Sequence, residues 1–258
     1  MKVIACYNIK GGVGKTSTAV NLAYIAARKG CKTLLWDMDL QGSATLLLNT
    51  EASKTKSIKP FSSPQKSLKP QIQRTAYKNL HLLPADFSLH KLDQKLGDLN
   101  KPVKAIKKHL ASLSDKYAYV FIDCPAGYNA YTQALQQLAD VFLIPVIPTP
   151  LTLSSYDLFK KQLKKEAKKN LIVFPFFSMI DRRKKLHREV AGLRKNGTTG
   201  FLHTQVPFSS KVELMAIERA PLLAYDTRSA AAKAYRSLWE EIITNLDMYA
   251  RVEKIKMW

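Results

Sequence analysis

Acidic residues are scarce in this chain. Asp and Glu number 20 against 41 Lys and Arg, a formal net charge of +21 over 258 residues. Such an excess favours a polyanionic partner, either nucleic acid or an acidic membrane surface, over a merely solvated basic face. Cysteine is nearly absent. Cys6, Cys31 and Cys124 are scattered, odd in number and without metal-ligand spacing. They speak against a disulfide framework and for a reduced, cytoplasmic setting. Long apolar runs are missing too, and none reaches the length of a membrane span. Only Lys2 precedes the first short apolar run, so no secretory signal is expected. There is no internal repeat, no domain linker and no Asn-Lys-x-Asp sequence of the kind that selects guanine.

What is present suits one large α/β domain across 1–258 with a full core, since 46% of the residues are hydrophobic. Apolar runs alternate with helical patterns, which predicts a mostly parallel sheet flanked by helices. Strands are expected over 3–7, 33–36, 80–83, 119–122, 141–147, 171–178 and 201–206. Helices are expected over 15–28, 88–96, 103–113, 131–138, 151–169, 186–195, 212–219 and 229–249, with the basic tail running on to 258. The stretch 53–70 breaks the rhythm: three prolines, five lysines and five serines leave little to bury and predict a mobile surface loop.

The most informative segment is Lys10-Gly11-Gly12-Val13-Gly14-Lys15-Thr16-Ser17. It lies between an apolar run, Val3 to Tyr7, and a helical run from Ala19. Strand, glycine-rich turn and helix form the setting of a phosphate-binding loop. Backbone N–H groups close around phosphate oxygens and the helix N-terminus adds partial positive charge. Lys15 can reach the β- and γ-phosphates, and the Thr16 hydroxyl can ligate Mg²⁺. The standard G-x-x-x-x-G-K-[ST] pattern asks for glycine where Ile9 stands, and Lys10 brings an extra cation to the mouth of the loop. Two more acidic segments follow predicted strands. Asp37-Met38-Asp39-Leu40-Gln41-Gly42-Ser43 follows the second, and Asp123-Cys124-Pro125-Ala126-Gly127 closes the run Tyr119 to Ile122. In open parallel sheets, carboxyl ends of strands are where ligands sit.

Together these segments resemble the deviant Walker A motif, the switch I segment and the Walker B segment of the ParA/MinD class of ATPases. Such proteins position plasmids, chromosomes, other cargo or the division site. Leu40 stands where the class has proline, and Ser43 where asparagine is usual. The resemblance implies ATP and Mg²⁺ as ligands and a weak ATP hydrolase. It implies a homodimer with two nucleotides sandwiched between subunits, Lys10 reaching the partner's nucleotide, and Gly11 kept small so that the loops can approach. Catalysis falls to Lys10, Lys15 and Asp39, with Asp39 orienting the attacking water. Thr16 and Asp123 hold the metal, and Asp37 supports the metal shell or the loop geometry. The base lies near Met179 and the Val206-Pro207-Phe208 turn.

Three basic stretches compete for a polyanion. Arg182, Arg183, Lys184 and Lys185 lie in a segment similar to one near the family's nucleotide and dimer edge. Lys211 stands where DNA-binding members carry a basic residue. Lys160, Lys161, Lys164, Lys165, Lys168 and Lys169 are expected on one helix. Arg228 reaches DNA or caps the final helix. The stretches carry few aromatics, which suits sequence-independent contacts to the backbone of double-stranded DNA. The resemblance then implies a cytoplasmic, nucleoid-associated protein, reset by hydrolysis that a cargo adaptor stimulates. Two other readings remain. A MinD-like membrane protein would use Ile255, Met257 and Trp258 beside Arg251, Lys254 and Lys256. An iron–sulfur reductase of the nitrogenase iron-protein type would need paired cysteines at a dimer axis.

Overall fold

The computed structural model describes residues 1–48, 68–85, 100–193 and 200–255. A seven-stranded sheet organises them. Its strands are β1 (Lys2–Cys6), β2 (Thr33–Asp37), β3 (Gln73–Arg74), β4 (Leu80–Leu83), β5 (Tyr119–Asp123), β6 (Val141–Val146) and β7 (Ile172–Phe177), in the order β3-β4-β2-β5-β1-β6-β7. All neighbours are parallel except the antiparallel edge pair β3 and β4. The central strands are apolar on both faces, as a sheet covered on both sides requires. Along β1 the period of two is plain: Val3, Ala5 and Tyr7 enter one core, Ile4 and Cys6 the other.

The first core lies under α1 (Lys15–Arg28) and α10 (Ala230–Ile255), where Tyr235, Leu238 and Trp239 pack on Ile4, Leu35 and Phe121. The second lies under α3 (Asn100–Ala111), α4 (Ala130–Leu138) and α5 (Pro150–Glu166), where Tyr156 and Phe159 meet Tyr7 and Phe142. Short helices complete the chain: α2 (Ser43–Leu48), α6 (Lys185–Leu193), α7 (Ser210–Glu213), α8 (Met215–Glu218) and α9 (Leu222–Tyr225). Pro145 is tolerated inside β6 because pairing with β1 has already ended at Cys6 and Leu143.

Several expectations need correction. Residues 201–206 are not a strand. Leu202 N–H and Val206 N–H do hang on β7 through the Pro175 and Phe177 carbonyls, but His203 and Thr204 N–H donate to the Glu241 carboxylate of α10. That side chain takes the donors a ladder would use. The helix expected over 212–219 is broken at Leu214 into α7 and α8, and Arg219 ends it in a left-handed conformation at φ 46°. The helix expected over 151–169 stops at Glu166. Lys168 N–H turns to the Gln136 carbonyl and its ammonium to Asp140 at 3.3 Å, so tertiary bonds outcompete two more helical residues. Lys168 and Lys169 therefore do not share a helix with Lys160, Lys161, Lys164 and Lys165. Helix α2, the 3-10 turn Lys69–Gln71 and strand β3 are additions. Leu68, at the end of the expected mobile loop, is buried. Lys69 and Pro70 form that 3-10 turn, while residues 53–67 of the loop, the helix expected over 88–96, Lys195 and residues 256–258 lie outside the described residues.

Candidate nucleotide site and basic surfaces

The carboxyl ends of β1, β2 and β5 converge beside the glycine-rich loop. Asp37 and Asp123 are register partners on adjacent strands, and Cys6 is paired with Asp123 on the other side. The loop itself is fixed by residues that sequence reading did not single out. Asn8 is buried. Its amide donates to the Pro145 carbonyl at 2.7 Å, and its Oδ1 accepts from Lys10 N–H at 2.9 Å. Its place just before the loop was the available signal. Gly14 caps α1 at φ 92°, and a Cβ there would sit 2.9 Å from Ser178 Oγ, so only glycine fits. No side chain caps α1, and its N-terminal N–H groups stay available to an anion.

Lys15 is buried, and its ammonium donates to the Lys10 carbonyl at 3.1 Å. Burial pulls its pKa down, while Asp123 and Asp39 pull it back up. Thr16 and Ser17 face the same cleft. The Lys10 ammonium makes no hydrogen bond or ion pair among the described residues. Gly11 differs from Gly12 and Gly14. Its φ is not positive, and a Cβ would meet nothing within 4 Å.

Asp37 is fully buried and its oxygens are committed. Oδ2 accepts from the Thr45 amide at 2.8 Å and hydroxyl at 2.7 Å, and Oδ1 from Asp39 N–H at 3.1 Å. Thr45, another residue missed in the sequence, thereby ties α2 to the switch segment. Burial nevertheless pushes the Asp37 pKa from 3.8 to about 6. Asp39 is half-buried on the cleft wall, with Oδ1 accepting from Gln41 N–H at 3.0 Å. Asp123 is the outlier. It is fully buried, and neither carboxylate oxygen has a hydrogen-bond partner in bonding geometry. Burial first, then the Asp37 charge, drive its pKa well up, while the nearby Thr16 hydroxyl and Lys15 ammonium act in the other direction. A buried carboxylate left bare beside a threonine hydroxyl is the chemistry of a divalent-cation ligand pair. Among the described residues no group of three or more His, Cys, Asp or Glu could hold a metal, so the protein supplies few ligands. That suits Mg²⁺, which keeps waters and phosphate oxygens in its shell.

A stability prediction follows from Asp123. A raised carboxylate pKa means the folded state favours the proton, so stability is complete below pH 4 and is lost as pH rises toward the folded value. Asp123→Asn is expected to raise the unfolding midpoint of EDTA-treated protein at pH 7 by about 2–8 °C, from relief of about 1–3 kcal/mol. The gap between the two proteins should close toward pH 4. Thermal unfolding followed by circular dichroism checks this, and a lower midpoint for the variant would contradict it.

The cleft encloses about 560 Å³ and brings together Gly11, Gly12, Gly14, Lys15, Thr16, Ser17 and Asp39 with Met179, Pro207 and Phe208. Lys10 and Val13 do not line it, and Asp37 and Asp123 lie beneath its floor. The far wall is built by the bridge between Ile180 and Pro207, with Ile180 N–H on the Val206 carbonyl and Phe208 N–H on the Ile180 carbonyl. Met179 is held there at φ 55°, a conformation that costs a non-glycine residue about 1 kcal/mol or more. The segment that follows β5 is anchored by Tyr7 Oη to the Gly127 carbonyl, Gly127 N–H to the Ile9 carbonyl, and Tyr128 Oη to Glu166. Cys6 and Cys124 are buried in the two cores, and burial pushes both thiols well up, which makes them inert packing residues.

The predicted basic residues divide by partner. Arg183 is held in a two-point pair by Asp181, and Lys185 faces Glu189 at 3.7 Å. Arg182, Lys184, Lys211 and Arg228 are exposed and make no ion pair among the described residues. Lys211 lies in the first turn of α7 at the rim of the cleft, between the lining residues Ser209 and Val212. No described helix is long and apolar enough to cross a membrane. Of the tail residues, Lys256, Met257 and Trp258 lie outside the described residues.

Comparison with known proteins agrees with this geometry. A family model described as an AAA domain matches residues 1–173. The chromosome-partitioning ATPase Soj of Treponema pallidum is 30% identical over 250 residues, covering 94% of this chain and 97% of that protein. A plasmid partition protein of Borrelia burgdorferi, solved with AMPPNP, superposes with a TM-score of 0.82 at 23% identity, covering 95% of this chain and 99% of the other. The cell division ATPase MinD of Pyrococcus furiosus superposes with a TM-score of 0.73 at 23% identity, covering 94% and 98%. At these identities, the two solved structures speak for the fold.

Proposed function

The chain belongs to the ParA/MinD family of deviant Walker A ATPases and is of its ParA type, and from that premise we propose that its ATP-bound dimer holds duplex DNA and positions a cargo on it. One observation carries the dimer. The chain needs neither glycine at position 11, where backbone angle and space would admit a side chain, nor a cation at position 10, whose ammonium is unpaired among the described residues. A second copy facing the loop gives both residues a role. Gly11 lets the backbones approach, and Lys10 meets the partner's triphosphate.

The chemistry is phosphoryl transfer to water. Loop N–H groups and the α1 N-terminus bind the phosphates, and Lys15 sets its charge against the β- and γ-oxygens. Thr16 and Asp123 are the residues that would hold Mg²⁺, while Asp37 keeps the switch in shape through Thr45. Bound there, Mg²⁺ neutralises charge on the phosphate oxygens. Asp39 orients the attacking water, and Lys10 from the partner offsets charge as the phosphoryl group departs. Met179, Pro207 and Phe208 give the adenine an apolar wall. Dimerisation doubles the exposed cations Arg182, Lys184, Lys211 and Arg228, so DNA affinity rises through multivalency. Hydrolysis returns monomers and frees the DNA from these four cations. A cargo adaptor that stimulates the step would act locally and leave the protein unevenly spread over the nucleoid.

The DNA arm has a direct test. Lys211→Ala or Arg182→Ala is expected to weaken ATP-dependent binding to random-sequence duplex by about three- to tenfold and to lower the salt slope by about 1 to 2 per dimer. ATP affinity should not move. Fluorescence anisotropy across a salt series reads both, and unchanged DNA affinity in both variants would remove this surface from the account.

A further inference from the structure

The amino-terminal edge of the sheet, opposite the cleft, carries a second line of charge. Lys2 opens β1, Lys32 precedes β2, Lys78 precedes β4, Lys116 precedes β5, and Lys168 with Lys169 precedes β7. All but Lys168 are exposed, and those five make no ion pair among the described residues. Their backbones are laced to the sheet. Lys2 N–H donates to the Ala118 carbonyl, Ala118 N–H to Lys32, Thr33 N–H to Asn79, and Ile172 N–H to Asp140. The lysines therefore project from a rigid row. Strands lie about 4.8 Å apart, so five intervals from β4 to β7 give a row roughly 24 Å long. Near one end, Lys2, Lys168, Lys169, Asp140 and Asn170 line a polar recess of about 350 Å³. Near the other, burial pulls the His81 pKa down, and the neighbouring charges of Lys116, Lys32 and Arg74 add to it.

Acidic relief is thin. Asp140 is tied to Lys168 and to Val3 N–H, Asp115 is exposed beside Lys116, and the exposed Asp247 of α10 is near enough for its charge to act on Tyr119. Tyr117 is buried with its hydroxyl 2.7 Å from His81 Nδ1, so no ring is offered there for stacking on a base. Lysines are point charges and suit phosphates rather than base edges.

We propose that this lysine row is a separate site for the phosphate backbone of duplex DNA, one that works without nucleotide and without the dimer. The identity of the polyanion rests on the function proposed above; the place of binding does not. Duplex DNA carries one charge per about 1.7 Å of axis with both strands counted, so roughly 24 Å of duplex holds about 14 phosphates, and the row meets those on the side turned toward it. Each strand of β5 length separates the row from the cleft by roughly 17 Å, so a duplex on the row leaves the nucleotide untouched. In a dimer joined through the loops, the two rows face outward at opposite poles. A dimer could then hold two duplex segments, and a monomer released by hydrolysis keeps a weak hold on DNA.

The test uses the full chain without nucleotide and the Lys15→Ala chain, each with a fluorescein-labelled random duplex of about 24 base pairs. Both are expected to bind weakly and salt-sensitively. Lys32→Glu, Lys116→Glu and Lys169→Glu combined should reduce that binding at least tenfold and lower the salt slope by about 3, with ATP turnover unchanged. Lys211→Ala should leave nucleotide-free binding intact. If the triple variant binds as well as the parent, or the parent binds phosphatidylserine vesicles and no duplex, the row is not a DNA site. Duplex binding seen only with ATP and lost in Lys211→Ala would overturn the row while leaving the proposed function standing. Nucleotide-free binding lost in the triple variant, with no further gain on adding ATP, would uphold the row and sink the ATP-controlled arm.

Discussion

Lys15→Ala is expected to weaken ATP binding by at least a hundredfold and to abolish turnover. Lys15 is buried at the head of α1, where its ammonium is parted from bulk water and satisfied only by the Lys10 carbonyl among neutral groups. An ammonium so placed is poorly solvated before the ligand arrives and gains strongly from a triphosphate. A charge-assisted hydrogen bond contributes about 1.5–3 kcal/mol, and Lys15 can offer more than one. The fold should survive, because removing the ammonium also removes its own burial cost. Isothermal titration with ATP and Mg²⁺ measures the loss, with circular dichroism as the control for folding. Tight binding in the variant would mean that the loop is not the phosphate site.

Asp39→Ala is expected to leave ATP binding within about threefold of the parent while turnover falls by about a hundredfold or more. The half-buried Asp39 lines the cleft, and among the described residues its carboxylate makes one hydrogen bond, a local one accepted from Gln41 N–H. Nothing in the described structure leans on it, in contrast to Asp37, whose removal would release Thr45 and α2. Loss of the carboxylate therefore removes the group proposed to orient water and little else. Phosphate release assays with ATP in excess separate the two effects, and undiminished turnover would assign water positioning to another residue.

The division between what the sequence made legible and what it hid follows physical lines. The phosphate loop and the acidic strand ends were readable because each is a local pattern: glycine where φ must be positive or space is short, carboxylate at the end of an apolar run. The parallel sheet was readable for the same reason, from strands such as β5 that are apolar on both faces. Long-range bonds were not readable. No local pattern says that Glu241 will take the N–H groups of His203 and Thr204, or that Asp140 will draw Lys168 out of a helix. Asn8 and Thr45 were missed because their partners sit on other elements: Pro145 is 137 residues from Asn8, and Asp37 ends β2 eight residues before Thr45. The lysine row was hidden most completely. Its members are spread from Lys2 to Lys169 and become neighbours only through the strand order.

All of these proposed roles converge on the proposed nucleotide held between two copies of the chain. Light scattering on the Asp39→Ala protein with saturating ATP and Mg²⁺, against the same protein with ADP, examines that most directly. The account predicts twice the 29.1 kDa chain mass with ATP and a single chain mass with ADP. A single chain mass in both nucleotides would contradict it.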